Sequence, residues 1–207
     1  NKFTEERNIK CLIHFTHIDN LENILTFGLI PRKFLEEEVI KVALKPKFSD
    51  NQRLDGMGEV NCLSVSFPNY KMFYSKSKDN PNDWAIILFN LDVILKHRCK
   101  FTSDNLASRQ SKPFDGIKGA EQLFLDSNLR QKLKLPSYYT TNPQSEVLEY
   151  SVIPPSWIKE VHVKSEKGLS RVTRLGNPNK ISIKVDRTYF KPREDYSYWK
   201  TGSPRPL

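Results

Sequence analysis

The chain has 207 residues, of which 38% are apolar and 11% aromatic, and 33 lysines and arginines against 24 acidic residues give a net charge of +9. This length predicts one domain with a substantial core, and the charge favours an anionic partner, with nucleic acid as the first candidate. No stretch approaches the roughly 18 apolar residues of a membrane-spanning helix, and no signal peptide opens the sequence, so we expect no membrane partner. The cysteines, Cys11, Cys62 and Cys99, lack the spacing of a zinc site or a disulfide framework, which predicts reduced thiols in a cytoplasmic protein.

The segment over residues 11–31 predicts a strand followed by a helix. Residues 11–15 form a short apolar run that is typical of a strand, and apolar residues at three-and-four spacing over 21–25 indicate one face of a helix. Gly28 can end this helix, and Pro31 lies just beyond it. The start and stop signals therefore agree with the periodicity.

Polar side chains collect where this strand ends. His14, Thr16 and His17 lie at the strand end, and Asp19 or Asn20 can cap the new helix. A helix N-terminus beside two imidazoles suits an anionic or sugar-bearing ligand. The alternative is purely structural: Thr16 and Asp19 cap the helix, and His14 is a satisfied core residue.

A helix is predicted over residues 34–43, and a polar loop over 45–59 follows it. The helix carries three adjacent glutamates, which point in different directions and so indicate a solvated face rather than a metal site. The loop carries Arg53 beside its glycine turn signals.

Residues 61–67 alternate as a strand that places Ser64 and Ser66 on one face. Small hydroxyl side chains on a strand face leave room for a ligand, although such a pair is also common on any solvent-facing strand. Residues 84–89 form a continuous apolar run, which is typical of a buried strand in the core.

A helix is predicted over residues 120–132, and a polar loop with Tyr138 and Tyr139 follows it. The next segment alternates, which places Glu146 on the same strand face as Leu148. A carboxylate among apolar neighbours is costly to bury without a partner, and this makes Glu146 a functional candidate. The alternative is that Glu146 lies at the open end of the strand and meets solvent.

Three of these motifs, taken in order, carry a family resemblance. They are Ile-His-Phe-Thr-His-Ile-Asp-Asn-Leu over residues 13–21, the loop with Arg53, and Gln-Ser-Glu over residues 144–146. Together they resemble the DarT family of DNA ADP-ribosyltransferase toxins, over residues 11 to about 155. In that family the first motif begins the NAD site, the arginine serves catalysis and NAD contact, and the second acid of a Gln/Glu-x-Glu signature is catalytic.

The resemblance implies an α+β fold of the ADP-ribosyltransferase type, with two small packed β-sheets around an NAD cleft and helices on the outside. It implies a single domain over residues 1–207, with a core over about 11–190 and a basic C-terminal tail over 191–207. That tail could extend a DNA groove or could be solvated. No metal is implied.

The same resemblance implies roles for particular residues. Glu146 and Arg53 would carry catalysis, because a carboxylate near the ribose stabilises the positive charge that builds as nicotinamide leaves. The residues expected to bind NAD are His14, Thr16, Asn20, Arg53, Ser66 and Tyr70. Tyr70 could stack on the nicotinamide, with ordinary core packing as the alternative.

DNA contacts are expected from the region before the catalytic strand. The candidates are Tyr138, Tyr139, Gln144, Arg130 and Lys134. Aromatic rings can stack a base and basic side chains can bind phosphates, and an unpaired base is easier to reach than a paired one. One of the two tyrosines could instead anchor the loop to the core.

One departure from the family concerns the modified base. The thymidine-modifying branch carries a Pro-Arg-Ser-Pro-Met-like stretch, whereas residues 66–74 here read Ser-Phe-Pro-Asn-Tyr-Lys-Met-Phe-Tyr. This difference favours the guanine-modifying branch. The predicted function is NAD-dependent ADP-ribosylation of guanine in single-stranded DNA by a monomeric bacterial toxin, which a cognate antitoxin restrains by binding it or by reversing the modification.

Other functions stay open at this point. A thymine-modifying enzyme, or one directed at RNA or protein, would share most of the cleft residues. A noncatalytic module for single-stranded nucleic acid would explain the charge and the tyrosines but not His14 and Glu146. A nuclease could use His14 or His17 as general acid and base.

Overall fold

A computed structural model describes residues 2–48, 58–107 and 111–200, and it has an α+β architecture as the sequence predicted. The strands are β1 (Leu12–His17), β2 (Asn61–Val65), β3 (Trp84–Phe89), β4 (Lys100–Thr102), β5 (Phe114–Asp115), β6 (Glu146–Glu149), β7 (Ile158–Val163) and β8 (Ile183–Val185). The helices are α1 (Lys2–Glu6), α2 (Leu21–Phe27), α3 (Arg32–Leu35), α4 (Glu38–Leu44), α5 (Tyr70–Ser77), α6 (Asp92–Lys96), α7 (Gly116–Gln122), α8 (Ser127–Lys132), α9 (Glu166–Thr173) and α10 (Tyr196–Lys200). None of the helices within the described ranges is long and apolar enough to cross a membrane.

The strands form one mixed sheet in the order β5-β4-β6-β2-β1-β3-β7-β8. Neighbouring strands are antiparallel except for β7 and β8, which are parallel. The expectation of two small packed sheets is therefore wrong. The two halves of the sheet are nevertheless joined by a narrow junction. Strands β1 and β2 pair only through Leu12 with Val65 and Ile13 with Ser64, whereas β1 and β3 pair over six residues. The two halves of the sheet thus share one hydrogen-bonded ladder but diverge beside the end of β1.

Helix α2 follows from its sequence pattern. Leu21, Ile24 and Leu25 are buried on one face, as their spacing predicted. The helix ends at Gly28, whose N–H donates to the Ile24 carbonyl and whose φ of +91° is a conformation that favours glycine. This segment fixes the chain beside the end of β1.

Two predicted helices are each broken into two short ones. The helix expected over residues 34–43 is interrupted at Glu37, which has an extended backbone between α3 and α4. The helix expected over 120–132 is interrupted at Asp126, which has a φ of +67° and accepts the Leu129 N–H with its side chain. At Asp126 the side chain caps a new helix and so competes with continuation of the previous one, which periodicity alone does not detect; Glu37 forms no such side-chain cap.

The hydrophobic core covers both faces of the sheet, and β3 is buried at all six positions, as its apolar run predicted. Residues near both ends of the described chain are packed as well. Phe3 and Ile9 belong to the main core cluster, and Arg193 and Asp195 are buried near the C-terminal end. The domain boundaries drawn from the sequence stay a prediction.

Gly28 gives a direct test of this packing. A Cβ at Gly28 would lie 2.2 Å from the Ile153 carbonyl oxygen, and the adjacent Leu29 forms a two-bond bridge with Ile153. We therefore expect Gly28→Ala to lower the free energy of unfolding by about 2 kcal/mol or more, measured by urea denaturation. Gly116→Ala is the control, because Gly116 also has a positive φ but has open space at its Cβ position. That control should cost about 1 kcal/mol, and equal losses in the two variants would contradict the packing argument.

Candidate active site

A cleft with a volume of about 420 Å³ lies beside the point where β1 and β2 stop pairing. Its walls come from β1, β2, α2 and α5, from the segment after β4, and from Glu146 at the start of β6. His14, Thr16, Asn20 and Glu146, which are far apart in the sequence, all line this one cleft. The structure thus brings together four of the residues that the sequence singled out.

His14 is oriented by the main chain of the neighbouring strand. Its Nδ1 lies 3.0 Å from the Cys62 carbonyl oxygen. A carbonyl can only accept, so Nδ1 carries the proton, and Nε2 of the neutral ring then has a lone pair. This nitrogen suits the hydroxyl group of a sugar, which can donate to it.

A segment that lines the cleft is held to the start of α2 by two asparagines, and we call it the strap (residues 44–48). The Asn20 amide accepts the Lys47 N–H at 2.8 Å and donates to the Lys47 carbonyl at 2.8 Å. Asn20 also donates to the Thr16 hydroxyl at 3.0 Å, and Asn23 donates to the Leu44 carbonyl at 2.7 Å. The side chain of Asn20 thereby holds the strap and Thr16, and its contact with NAD stays a prediction.

Asp19 reinforces the strap from the outer side. Its carboxylate pairs with Lys47 and with Arg171 of α9, and Arg171 also donates to Asp83 at 2.5 Å. Burial alone would raise the pKa of Asp19, but the hydrogen bonds from Lys47 and Arg171 outweigh it and hold that pKa below its ordinary value. Asp19 is therefore ionised and structural, but it holds the strap and α9 rather than capping α2, whose N-cap is Asn20.

His17 also has a local role. Its Nδ1 accepts the Asp19 N–H at 3.3 Å, so the ring caps the short 3-10 turn that leads into α2. Burial lowers the pKa of His17, which keeps the ring neutral at physiological pH. His14 is bound to a carbonyl and His17 caps a turn, so the two imidazoles are not arranged as the acid and base of a nuclease.

Glu146 is the carboxylate of the cleft. It is only 7% exposed, and its Oε2 accepts the Leu106 N–H at 2.8 Å. Leu148, on the same strand face, is fully buried, as the alternation predicted. The alternative in which Glu146 meets solvent at an open strand end is thus wrong. A buried carboxylate that reaches a ligand cleft can stabilise a developing cation and can accept a proton.

Two of the residues predicted to bind NAD, Ser66 and Tyr70, are absent from the cleft lining. Ser66 directly follows β2 with a φ of +60°, and among the described residues its buried Oγ has no hydrogen-bond partner. Tyr70 is buried as the first residue of α5 and is absent from the cleft lining, a position that agrees with the core-packing alternative. Arg53 lies outside the described residues.

The residues expected to contact DNA lie on the loop before β6 and on the helix that precedes it. Arg130 donates to the carbonyls of Tyr139 at 2.7 Å and Pro136 at 2.9 Å, so its guanidinium holds this loop. Tyr138 and Tyr139 are half-buried and pack edge to face at 4.9 Å. Lys134 is exposed, and Gln144 is half-buried outside the cleft lining.

Sequence reasoning missed several residues that shape the site. Asn23 and Lys47 fasten the strap, and Lys76 of α5 lines the cleft. Outside the cleft, it also missed the buried Glu149, which is 1% exposed and accepts a hydrogen bond from the Cys99 thiol at 3.1 Å. The signal that could have found Glu149 was present, since a second glutamate follows Glu146 three positions later on a strand of buried residues.

The strap gives a testable prediction. Asn20→Ala removes the acceptor of the Lys47 N–H, so we expect hydrogen exchange at the Lys47 amide to become at least about tenfold faster, since a lost hydrogen bond of about 1.4 kcal/mol corresponds to that factor. Thr26→Ala is the control, because Thr26 lies on the exposed face of the same helix. Unchanged exchange at Lys47 in the Asn20 variant would show that Asn20 does not hold the strap.

Comparison with known proteins identifies the family. The family model described as "ssDNA thymidine ADP-ribosyltransferase, DarT" matches residues 13–191. No curated protein sequence matches the chain significantly. Thermosipho africanus DarTG in complex with ADP-ribose has the same fold, with a TM-score of 0.66 and 19% identity over 87% of this chain, which spans 51% of that longer chain. Thermus sp. 2.9 DarT in complex with carba-NAD+ gives a TM-score of 0.61 and 16% identity over 87% of this chain and 97% of that one. The same protein in complex with ADP-ribosylated ssDNA gives 0.55 and 16% identity over 88% and 96%. The chain belongs to the DarT family of single-stranded DNA ADP-ribosyltransferases.

Proposed function

We propose that this chain transfers ADP-ribose from NAD to a thymine base of single-stranded DNA. The observation that carries the proposal is the buried Glu146 carboxylate in the same cleft as His14 and Thr16. Structures of similar fold bind NAD+, carba-NAD+ and ADP-ribosylated ssDNA, which supports NAD as donor and a single strand as acceptor.

The donor side follows from the polarity of the cleft. His14 would accept a ribose hydroxyl at Nε2, and Thr16 would donate its own hydroxyl proton while its oxygen accepts from Asn20. The strap would cover the bound dinucleotide and exclude water. Arg53 stays the candidate for pairing with the pyrophosphate, as the resemblance implies.

The chemistry assigned to Glu146 has two parts. The bond between the ribose C1′ and the nicotinamide nitrogen breaks, and its electron pair leaves with nicotinamide, so positive charge develops on the sugar. Glu146 stabilises this charge more in the transition state than in the ground state. In thymine the ring N3 carries a proton, since N1 is bonded to deoxyribose. Glu146 would accept that proton as N3 forms the new bond to C1′.

The choice of thymine comes from the family description, which names thymidine. The expectation of guanine, drawn from residues 66–74, finds no support in that description. We also infer, from family membership and from the DarTG name of one structural relative, that a cognate antitoxin restrains this enzyme. The proposal assigns no metal to the reaction.

The role of Glu146 is tested by Glu146→Gln. The amide keeps the size of the side chain and can still accept the Leu106 N–H, but it removes the negative charge. We expect transfer of ADP-ribose to a mixed-sequence oligonucleotide, followed by intact mass, to fall at least about 100-fold. The matched control is Glu149→Gln on the same strand, which is outside the cleft and should retain transfer. Full transfer by the Glu146 variant would refute the assignment.

The base is tested with four oligonucleotides that each lack one of the four bases. We expect a mass gain of one ADP-ribose on every oligonucleotide except the one without thymine. Loss of modification only when guanine is missing would keep the enzyme and restore the guanine assignment. No gain on any oligonucleotide, with NAD left intact, would refute the proposed reaction and favour a noncatalytic single-strand binding module.

A further inference from the structure

The loop that leads into the catalytic strand is held by an arginine from the far end of the chain. We call this loop the approach loop (residues 136–145). Arg193 donates through Nη1 to the Thr140 carbonyl at 3.0 Å, a contact between residues 53 positions apart. Arg130 supports the same loop from the other side through the Tyr139 and Pro136 carbonyls. Both guanidinium groups therefore determine where the main chain of this loop lies.

Arg193 is itself fixed by a buried ion pair. Its Nε donates to Asp195 Oδ1 at 2.9 Å, and Nη2 donates to the second oxygen of the same carboxylate. Both side chains are 1% exposed, and the Trp199 indole N–H also donates to Asp195 at 2.8 Å. Burying two charges is costly, and a hydrophobic pair of similar volume would often serve stability as well. The ion pair is thus poorly explained by stability alone.

The ion pair also affects two tyrosines, Tyr139 of the approach loop and Tyr70 of α5. The Arg193 guanidinium lies 4.9 Å from the ring centre of Tyr139, which also packs edge to face against Phe67 at 5.6 Å. Tyr70, the first residue of α5, is buried, and its pKa is raised by that burial and by the Asp195 carboxylate. Helix α5 contributes Met72 and Lys76 to the cleft. The ion pair is therefore in direct contact with the approach loop and acts electrostatically on the first residue of a helix that lines the cleft.

We propose that Arg193, held by Asp195, is a positioning residue that fixes the approach loop for the DNA acceptor. The inference rests on the proposed function and assigns donor binding and acceptor positioning to different parts of the chain. The cleft residues of β1 and the strap serve the donor, while the C-terminal segment sets the geometry of the loop that meets the acceptor. Damage to the pair should accordingly weaken the use of DNA without weakening the binding of NAD.

The test is Arg193→Lys in the full chain. Lysine keeps the positive charge but cannot hold both oxygens of Asp195 and the Thr140 carbonyl with one planar fork. We expect the KM for an oligonucleotide acceptor to rise about tenfold, the factor that corresponds to loss of one charge-assisted hydrogen bond. The dissociation constant for NAD, measured by calorimetry, should stay within about twofold. Arg174→Lys, at an exposed arginine after α9, is the control and should change neither quantity.

Three outcomes would overturn the proposal. An unchanged KM for the oligonucleotide would show that the pair does not position the loop. Parallel weakening of acceptor use and NAD binding would show a general structural role. Absence of transfer by the wild-type protein would refute the proposed function itself, and the wild-type reaction distinguishes that failure from the first two.

A second variant covers the case in which Arg193→Lys does not fold. Trp199→Phe removes the indole N–H that donates to Asp195, keeps an aromatic ring of smaller size and leaves the ion pair in place. We expect a rise of about threefold in the oligonucleotide KM with unchanged NAD binding, because one neutral donor is lost. An unaltered KM in this folded variant would contradict the proposal.

Discussion

The narrow junction between β1 and β2 is the constraint on which the rest of the site depends. Main-chain carbonyls in a sheet normally accept hydrogen bonds from the neighbouring strand, but only two residue pairs of β1 and β2 form such a ladder. Beyond them the Cys62 carbonyl accepts a hydrogen bond from His14. This single contact partly repairs the lost pairing, orients the imidazole and leaves a cleft where a continuous sheet would have left none.

The cleft combines rigid and attached parts. Glu146 is rigid because it belongs to a fully buried strand that pairs on both sides, with β2 and with β4. The strap is attached through side chains, chiefly Asn20, Asn23 and Asp19, rather than through a β-ladder. In the proposed reaction this arrangement keeps the catalytic carboxylate in a fixed position. The strap, in contrast, is held to the rest of the cleft by a few hydrogen bonds.

The sequence predicted correctly those elements whose structure is set by a local pattern of residues. Strand β3, helix α2 with its end at Gly28, and the convergence of His14 and Glu146 all followed from periodicity and motif. The prediction of two sheets was wrong, because the number of pairs between two strands is a tertiary property. The DNA contact assigned to Arg130 stays a prediction, but the sequence did not show that this α8 arginine donates to carbonyls of the loop before β6. Composition identifies a basic side chain, but only the fold shows which acceptors surround it.

The central claim is that NAD lies in the cleft with its nicotinamide ribose between His14 and Glu146. The most direct test is a crystal structure of the wild-type protein with carba-NAD+, an analogue seen bound to a protein of the same fold. The account predicts a ribose hydroxyl within hydrogen-bond distance of His14 Nε2 and the reacting carbon beside the Glu146 carboxylate. An analogue bound elsewhere, or with the nicotinamide ribose turned away from Glu146, would contradict it.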